Sequence, residues 1–460
     1  MPENDNSYLG TAPIGKLLMK MAIPSVIAQL INMLYNLVDR IYIGHIPVNG
    51  ALALTGLGVC MPIIMIVTAF AALTASGGAP KAAIAMGRGD YDEANRILDN
   101  SVSLQILISV VLTFLLLLFD RPLLLAFGAS ANTIDYAVAY MNIYALGTIS
   151  VQLTLGMNAF ITAQGFASVG MYTVLIGAVS NIILDPILIF GFDMGARGAA
   201  IATIVSQTIS AVWVLLFLRG RKTILRIGRL RFEPGVILPC VALGLATFIM
   251  QASESVITVC FNSSLLRYGG DVAVGAMTIL TSVMQFSLLP LQGLGQGSMP
   301  ITSFNFGAGN RERVKESFFL LLKISLFYSM LVWALLTLFP GLFAGIFTSD
   351  SELIAFTSRA LRVYALGLGL FGAQVACQMT FVSLGNAKSS ILVAVTRKFF
   401  LLLPLIYLLP RILKDPVMAV YTAEPIADLC AVAFTVTLFS FEFRKALKGL
   451  DQPPVVKDAS

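Results

Sequence analysis

Asp39 and Asp185 are carboxylates set inside apolar runs, and each has amides at helical spacing on its own face. In the first run Gln29, Asn32, Asn36 and Asp39 follow at intervals of 3, 4 and 3 residues, which stacks all four on one side of a helix. Asn181 stands one turn before Asp185, and Thr203 one turn before Gln207. A carboxylate with an amide and a hydroxyl beside it can hold Na⁺ or carry a proton, and ligand type alone does not choose between them. Asp39 precedes Arg40 and keeps two readings, an interfacial carboxylate paired with its neighbour or a coupling group. Asp185 lies before Pro186, well within apolar sequence, where the functional reading is favoured.

A second set lies further along. Gln251, Glu254, Thr258 and Asn262 repeat the one-sided pattern at intervals of 3, 4 and 4. Arg397 and Lys398 interrupt an apolar run, and Glu424 and Asp428 sit one turn apart in the next. A buried arginine is tolerable when it meets a carboxylate, so Arg397 with Asp428 or Glu254 reads as a charge network, with Glu254 the candidate for substrate or proton contact. Met284 and other methionines either line an adaptable cavity or simply pack.

The elements that must carry these groups are membrane helices. Only 12% of the 460 residues are charged while 57% are hydrophobic, and mean hydropathy is +0.87. A water-facing surface cannot be built from that composition. Apolar stretches recur that are long enough to cross ~30 Å of hydrocarbon as helices, and they lack the ten-residue alternation of a barrel. The expected spans are 15–40, 50–76, 93–118, 131–155, 161–190, 196–218, 236–266, 271–299, 313–339, 351–382, 389–409 and 417–441. The N-terminal stretch is polar and acidic, unlike a cleaved signal peptide, so the first span is expected to stay.

Orientation follows from the basic residues. With a cytoplasmic N-terminus, nineteen Lys and Arg, including Arg219, Arg221, Lys222, Arg226, Arg229, Arg231 and Lys457, fall on that side against six on the other. Both termini are therefore expected inside, in a multi-pass protein of the cell membrane. The basic excess is read as a topology signal, with no nucleic-acid partner.

Two halves resemble each other at an offset of 220 residues. Pro80 to Gly87 matches Pro300 to Gly307, Tyr144-Ala-Leu-Gly147 matches Tyr364-Ala-Leu-Gly367, and Gly165 matches Gly385. The Pro80 and Pro300 segments are expected as loops. An even number of spans per half makes the repeat parallel, with a cleft between halves suited to alternating access. The expected organisation is a six-helix lobe at 1–218, a basic cytoplasmic linker at 219–235, a second six-helix lobe at 236–441 and a tail at 442–460.

Depth gathers the first set of groups. Asp39 lies 19 residues past Lys20, ~28 Å at 1.5 Å per residue. Asp185 lies in the outer half of its span and Thr203 about two turns from the outer end of the next. The three spans thus bring their polar groups to one level.

An intramembrane enzyme is disfavoured, because the sole histidine, His45, lies in a loop and no nucleophile–base or metal-ligand spacing occurs. The five cysteines read as packing residues. No GxxxxGK[ST] loop suggests an ATP-driven pump. A channel and a lipid-linked oligosaccharide flippase stay as alternatives to a solute exporter. The flippase calls for a cationic cleft, and Arg397, Lys398 and Lys323 are the residues to probe for one.

The sequence resembles the multidrug and toxic compound extrusion (MATE) family, in its bacterial MepA-like branch. The match is carried by Asn181-Ile-Ile-Leu-Asp185-Pro186, Gly195-Ala-Arg-Gly198-Ala-Ala-Ile-Ala-Thr203 and Gln207. Pro24, Asp39, Glu254, the Pro80/Gly87 and Pro300/Gly307 pairs, and Glu424-Pro425-Ile-Ala-Asp428 support it. The resemblance covers nearly the whole chain and implies a twelve-helix, V-shaped fold of two lobes. It further implies export of lipophilic organic cations driven by H⁺ or Na⁺; a monomer with no cofactor is expected. Positions matching Asp39, Asn181, Asp185 and Thr203 would form the ion site, and Glu254 the acidic group of the seventh helix. Where some members carry an acid in the tenth helix, this chain has Gln374 and Gln378.

Overall fold

The computed structural model describes residues 7–46 and 50–450; Lys457 and the end of the expected tail lie outside them. Ten helical runs are long and apolar enough to cross a membrane, and a bent pair, Ile134–Leu146 with Thr148–Ala163 at 56°, adds an eleventh span. One run, Pro234–Gly307, is two helices that meet at Gly270, whose φ of 62° and ψ of −159° interrupt the helix. The described residues therefore hold twelve spans in two sets of six. They are α1 (Ile14–Gly44), α2 (Gly50–Gly87), α3 (Tyr91–Leu118), α4 (the bent pair), α5 (Ala167–Gly191) and α6 (Gly195–Arg219). The second set is α7 (234–269), α8 (271–307), α9 (Arg311–Leu338), α10 (Ser351–Ser383), α11 (Ala387–Ile412) and α12 (Pro416–Gly449).

The spans fold because helices satisfy their own backbone hydrogen bonds, the condition for crossing hydrocarbon. Leu, Ile, Phe and Val side chains such as Phe114, Phe327 and Leu216 stay exposed on their outer faces. The inner faces close around small and medium residues, with Ala137, Tyr140, Ala199 and Ala200 in one cluster and Phe261, Leu280, Tyr421 and Ala427 in another.

The segments Pro80–Gly87 and Pro300–Gly307, expected as loops, are helical to their ends. The turns come just after, at Gly89 and Gly309, where φ is 79° and 74°. Proline removes one backbone donor but does not end a helix whose neighbours absorb the freed carbonyl.

The 220-residue repeat is visible in the backbone. Gly165 and Gly385 share positive φ, as do Gly89 and Gly309. Short helices start at Asp120 and at Pro340. The break at Gly147 in α4 has its counterpart in the 3₁₀ turn Ala365–Gly367 of α10.

Two compact units emerge from the packing. Lys20–Ala82 and Tyr91–Ser255 belong to one, and Ser7–Met19, Ala83–Asp90 and residues 256–450 to the other. In the first, residues 220–233 carry no helix and are tied down by side chains of α3 and of the turn after α4. In the second, Gly87 lies against the Phe304 carbonyl and Gly307 against the Ile84 carbonyl, so a methyl group on either glycine would overlap backbone.

Candidate functional site

In the first unit the polar face of α1 ends at Asp39, which is buried at 5% exposure. Helix α5 delivers Asn181 and Asp185 at 2% and 0% exposure, just before Pro186 and a π-helical turn, Ile187–Gly191. The π turn widens the helix and often marks a functional position. It is held from two sides: Tyr42 of α1 packs edge-on against Phe190 at 6.4 Å, and Gly198 of α6 lies against the backbone at Leu188 and Ile189. A side chain at Gly198 would push α6 off the turn.

The carboxyl groups of Asp39 and Asp185 lie within hydrogen-bonding reach of each other. Asn181 Nδ2 donates to Asp185 Oδ1 at 3.3 Å. Thr203 of α6 meets the phenol of Tyr140, and Gln207 meets that of Tyr35. Asp39, Asn181 and Asp185 thus lie together, while Thr203 and Gln207 neighbour them through Tyr140 and Tyr35. Asp39 Oδ1, Asn181 Oδ1, Asp185 Oδ2 and Gln207 Oε1 are buried without a donor among the described residues. Buried polar atoms are nearly always paired, so four orphaned oxygens in one cluster mark a place for a donor or a cation.

Sequence reasoning missed the tyrosines. Tyr35 lies one turn before Asp39, and Tyr140 and Tyr144 are one turn apart on α4. All three lie close enough to the cluster or to one another to interact. Their i, i+4 spacing was available as a signal, but tyrosine in an apolar helix reads equally as packing.

The other expected cavity residues are dispersed. Gln29 is half-buried, Asn32 exposed, and Asn36 folds back to donate to the Asn32 carbonyl at 2.6 Å. Gln251 and Glu254 are exposed on α7. Met284 of α8 packs against the core of the second unit.

In the second unit a π turn, Thr396–Leu402, places Arg397 and Lys398 in the interior. The Arg397 guanidinium reaches Asp428 Oδ1 at 2.8 Å and Glu424 Oε1 at 3.0 Å, and lies over the Phe371 ring at 4.7 Å. The Arg397–Asp428 pairing is present, and Glu424, one turn away, is its second carboxylate. Gln378 of α10 donates to Ser390 Oγ at 2.8 Å, while Gln374 Oε1 has no donor among the described residues. No group of three or more His, Cys, Asp and Glu gathers as a metal site among the described residues.

Known proteins resemble this chain along its whole length. The MatE family model matches residues 24–187 and 246–408. The multidrug export protein MepA of Staphylococcus haemolyticus (strain JCSC1435) is 22% identical over 443 residues, spanning 95% of this chain and 97% of that protein. A crystal structure of MATE in the bent conformation superposes with a TM-score of 0.90 at 21% identity, covering 97% of this chain and 99% of the other. An outward-facing multidrug resistance MATE family transporter of the MOP superfamily gives a TM-score of 0.89 at 21% identity, over 98% and 99%. With two sets of six spans, a repeat at 220 residues and a family model covering most of both halves, the chain belongs to the MATE family of membrane transporters.

Proposed function

We propose that this protein is a secondary multidrug exporter, an antiporter that moves lipophilic, mostly cationic compounds out of the cell in exchange for H⁺ or Na⁺. The observation that carries the reading is the buried Asp39–Asp185 pair, with Asn181 beside it and Thr203 near by, towards one end of apolar helices. Two carboxylates in contact repel, and a proton or cation between them relieves the repulsion. Such a pair answers to an ion gradient because its two oxygens and the neighbouring orphaned acceptors gain a partner only when the ion arrives. The name carried by the MepA relatives supports export of drugs as the output.

In this mechanism the ion enters from outside and binds Asp39 and Asp185. The loaded state has weakened drug affinity, so drug leaves outward. Release of the ion to the cytoplasm resets the transporter. Coupling requires that the ion bind the two states with different affinity, since equal binding shifts nothing. Glu254, Gln251, Gln29, Asn32, Asn36, Gln207 and Met284 serve substrate. Arg397, Glu424 and Asp428 neutralise one another and hold α11 against α12. The protein works as a monomer in the cell membrane, with both termini cytoplasmic and no cofactor.

Gradient-driven efflux from proteoliposomes tests the proposal. A double variant, Asp39→Asn with Asp185→Asn, that still exports drug against its gradient would remove the ion site from the account.

A further inference from the structure

We infer that residues 219–232 form a preorganised strap that binds the headgroups of anionic phospholipids in the surrounding bilayer. A basic connection between apolar helices is ordinarily a solvated loop. This one is built. Gln164, fully buried, accepts from the Thr223 hydroxyl at 2.9 Å and from the Ile224 and Leu225 amides at 2.8 Å each. Asn95, Asp99 and Asn100 of α3 accept the Arg226, Gly228 and Glu233 amides at 2.9, 2.8 and 2.6 Å. Leu225 plugs the underside with no exposed surface.

The backbone is thus fixed by inward bonds, and the side chains left over point away. Arg229, Leu230, Arg231 and Phe232 alternate basic and apolar, all exposed, with Leu230 at 64% and Phe232 at 56%. Glu233 pairs with Arg96 and with Arg231. No ion pair among the described residues involves Arg219, Lys222, Arg226 or Arg229.

The strap joins the ends of two apolar spans, so it sits at the membrane boundary. There an exposed Phe and Leu flanked by arginines match a bilayer surface. The apolar side chains enter the interfacial layer while the cations meet phosphate. Because the strap is already ordered, binding carries little ordering cost. The chemistry recognised is an anionic phosphodiester headgroup on a lipid.

The test uses full-length protein in nanodiscs, with Trp213→Phe and Trp333→Phe removing native fluorescence and Phe232→Trp as reporter. Brominated phosphatidylglycerol and brominated phosphatidylcholine are compared as quenchers at equal mole fraction. Phosphatidylglycerol is expected to be preferred by about fivefold for each basic residue engaged. In Lys222→Gln with Arg229→Gln the preference should fall by about fivefold for each engaged charge removed, and in about 0.5 M salt it should fall towards unity. Equal quenching by both lipids in the reporter protein would overturn headgroup selection. Quenching by neither would place the strap off the membrane. Drug export is not read in this assay, so its outcome is independent of the proposed transport function.

Discussion

Asp39 of α1 and Asp185 of α5, far apart in sequence, bring their carboxyl groups within hydrogen-bonding reach in a setting of apolar helices. Two carboxyl groups held this close repel when both are ionised. That closeness is what the proposed coupling role rests on. Asn181 donates to Asp185, and Tyr140 lies near Asp39 and Thr203.

Replacing Asp185 with Asn keeps the shape and removes the exchangeable charge. Loss of a coupling free energy of about 1–3 kcal/mol lowers gradient-driven accumulation by about 5–150-fold. Binding of drug to detergent-solubilised protein should change far less. Equal losses in binding and transport would point to a structural role.

Arg397 is buried between two carboxylates in the second unit. Arg397→Ala leaves Asp428 and Glu424 buried without their cation and is expected to destabilise by about 3–5 kcal/mol. Arg397→Met combined with Glu424→Gln and Asp428→Asn should recover much of that. Thermal unfolding in detergent, read on monodisperse protein, compares the two variants.

The mutual approach of Gly87 and Gly307 to backbone carbonyls leaves no room for a side chain. Gly307→Leu should cost about 1–3 kcal/mol or more through overpacking, and Gly87→Leu the same by the repeat relationship. Gly89→Ala, in open space, tests a different effect: its φ of 79° strains an L residue without any clash. A similar loss at all three positions in a thermal-shift assay would count against close packing as the cause at Gly87 and Gly307.

The Glu233 carboxyl is held below its ordinary range by the guanidinium of Arg96, aided by Arg231. Its lowered pKa means that the contribution to strap stability is fully present above the ordinary carboxylate range. That contribution is lost as pH falls through the lowered value. Both partners are solvent-accessible, so salt should diminish it. Protease cleavage in residues 219–232, compared between wild type and Glu233→Gln across acid pH, measures this. A difference that widens on acidification would reverse the assignment.

Much of the fold was legible because lipid leaves few options. Apolar runs of span length must be helices, and the matches at 220 residues reappear as paired positive-φ glycines and a paired break at Gly147 and Gly367. Pro80 and Pro300 misled, since proline and glycine together read as loop while the chain stays helical until Gly89 and Gly309. In the candidate site, helical spacing and depth gathered Asp39, Asn181, Asp185 and Thr203. Those quantities are set by the helix itself. Tyr35 and Tyr140 were not legible, because only the crossing of helices decides whether a tyrosine faces a carboxylate or a leucine. Glu424 illustrates the same limit: its spacing from Asp428 was plain, but sharing of Arg397 depends on the π turn that rotates α11. The ordered path of residues 220–233 depends on Gln164 and Asp99 from distant parts of the chain, and basic composition alone described only a linker.

Transport into liposomes under an imposed proton or Na⁺ gradient tests the central claim most directly. Wild type and Asp39→Asn would be reconstituted at equal density and supplied with a fluorescent lipophilic cation. The account predicts uphill movement driven by one of the two gradients, abolished by the substitution. Uphill movement that persists undiminished in Asp39→Asn would contradict it.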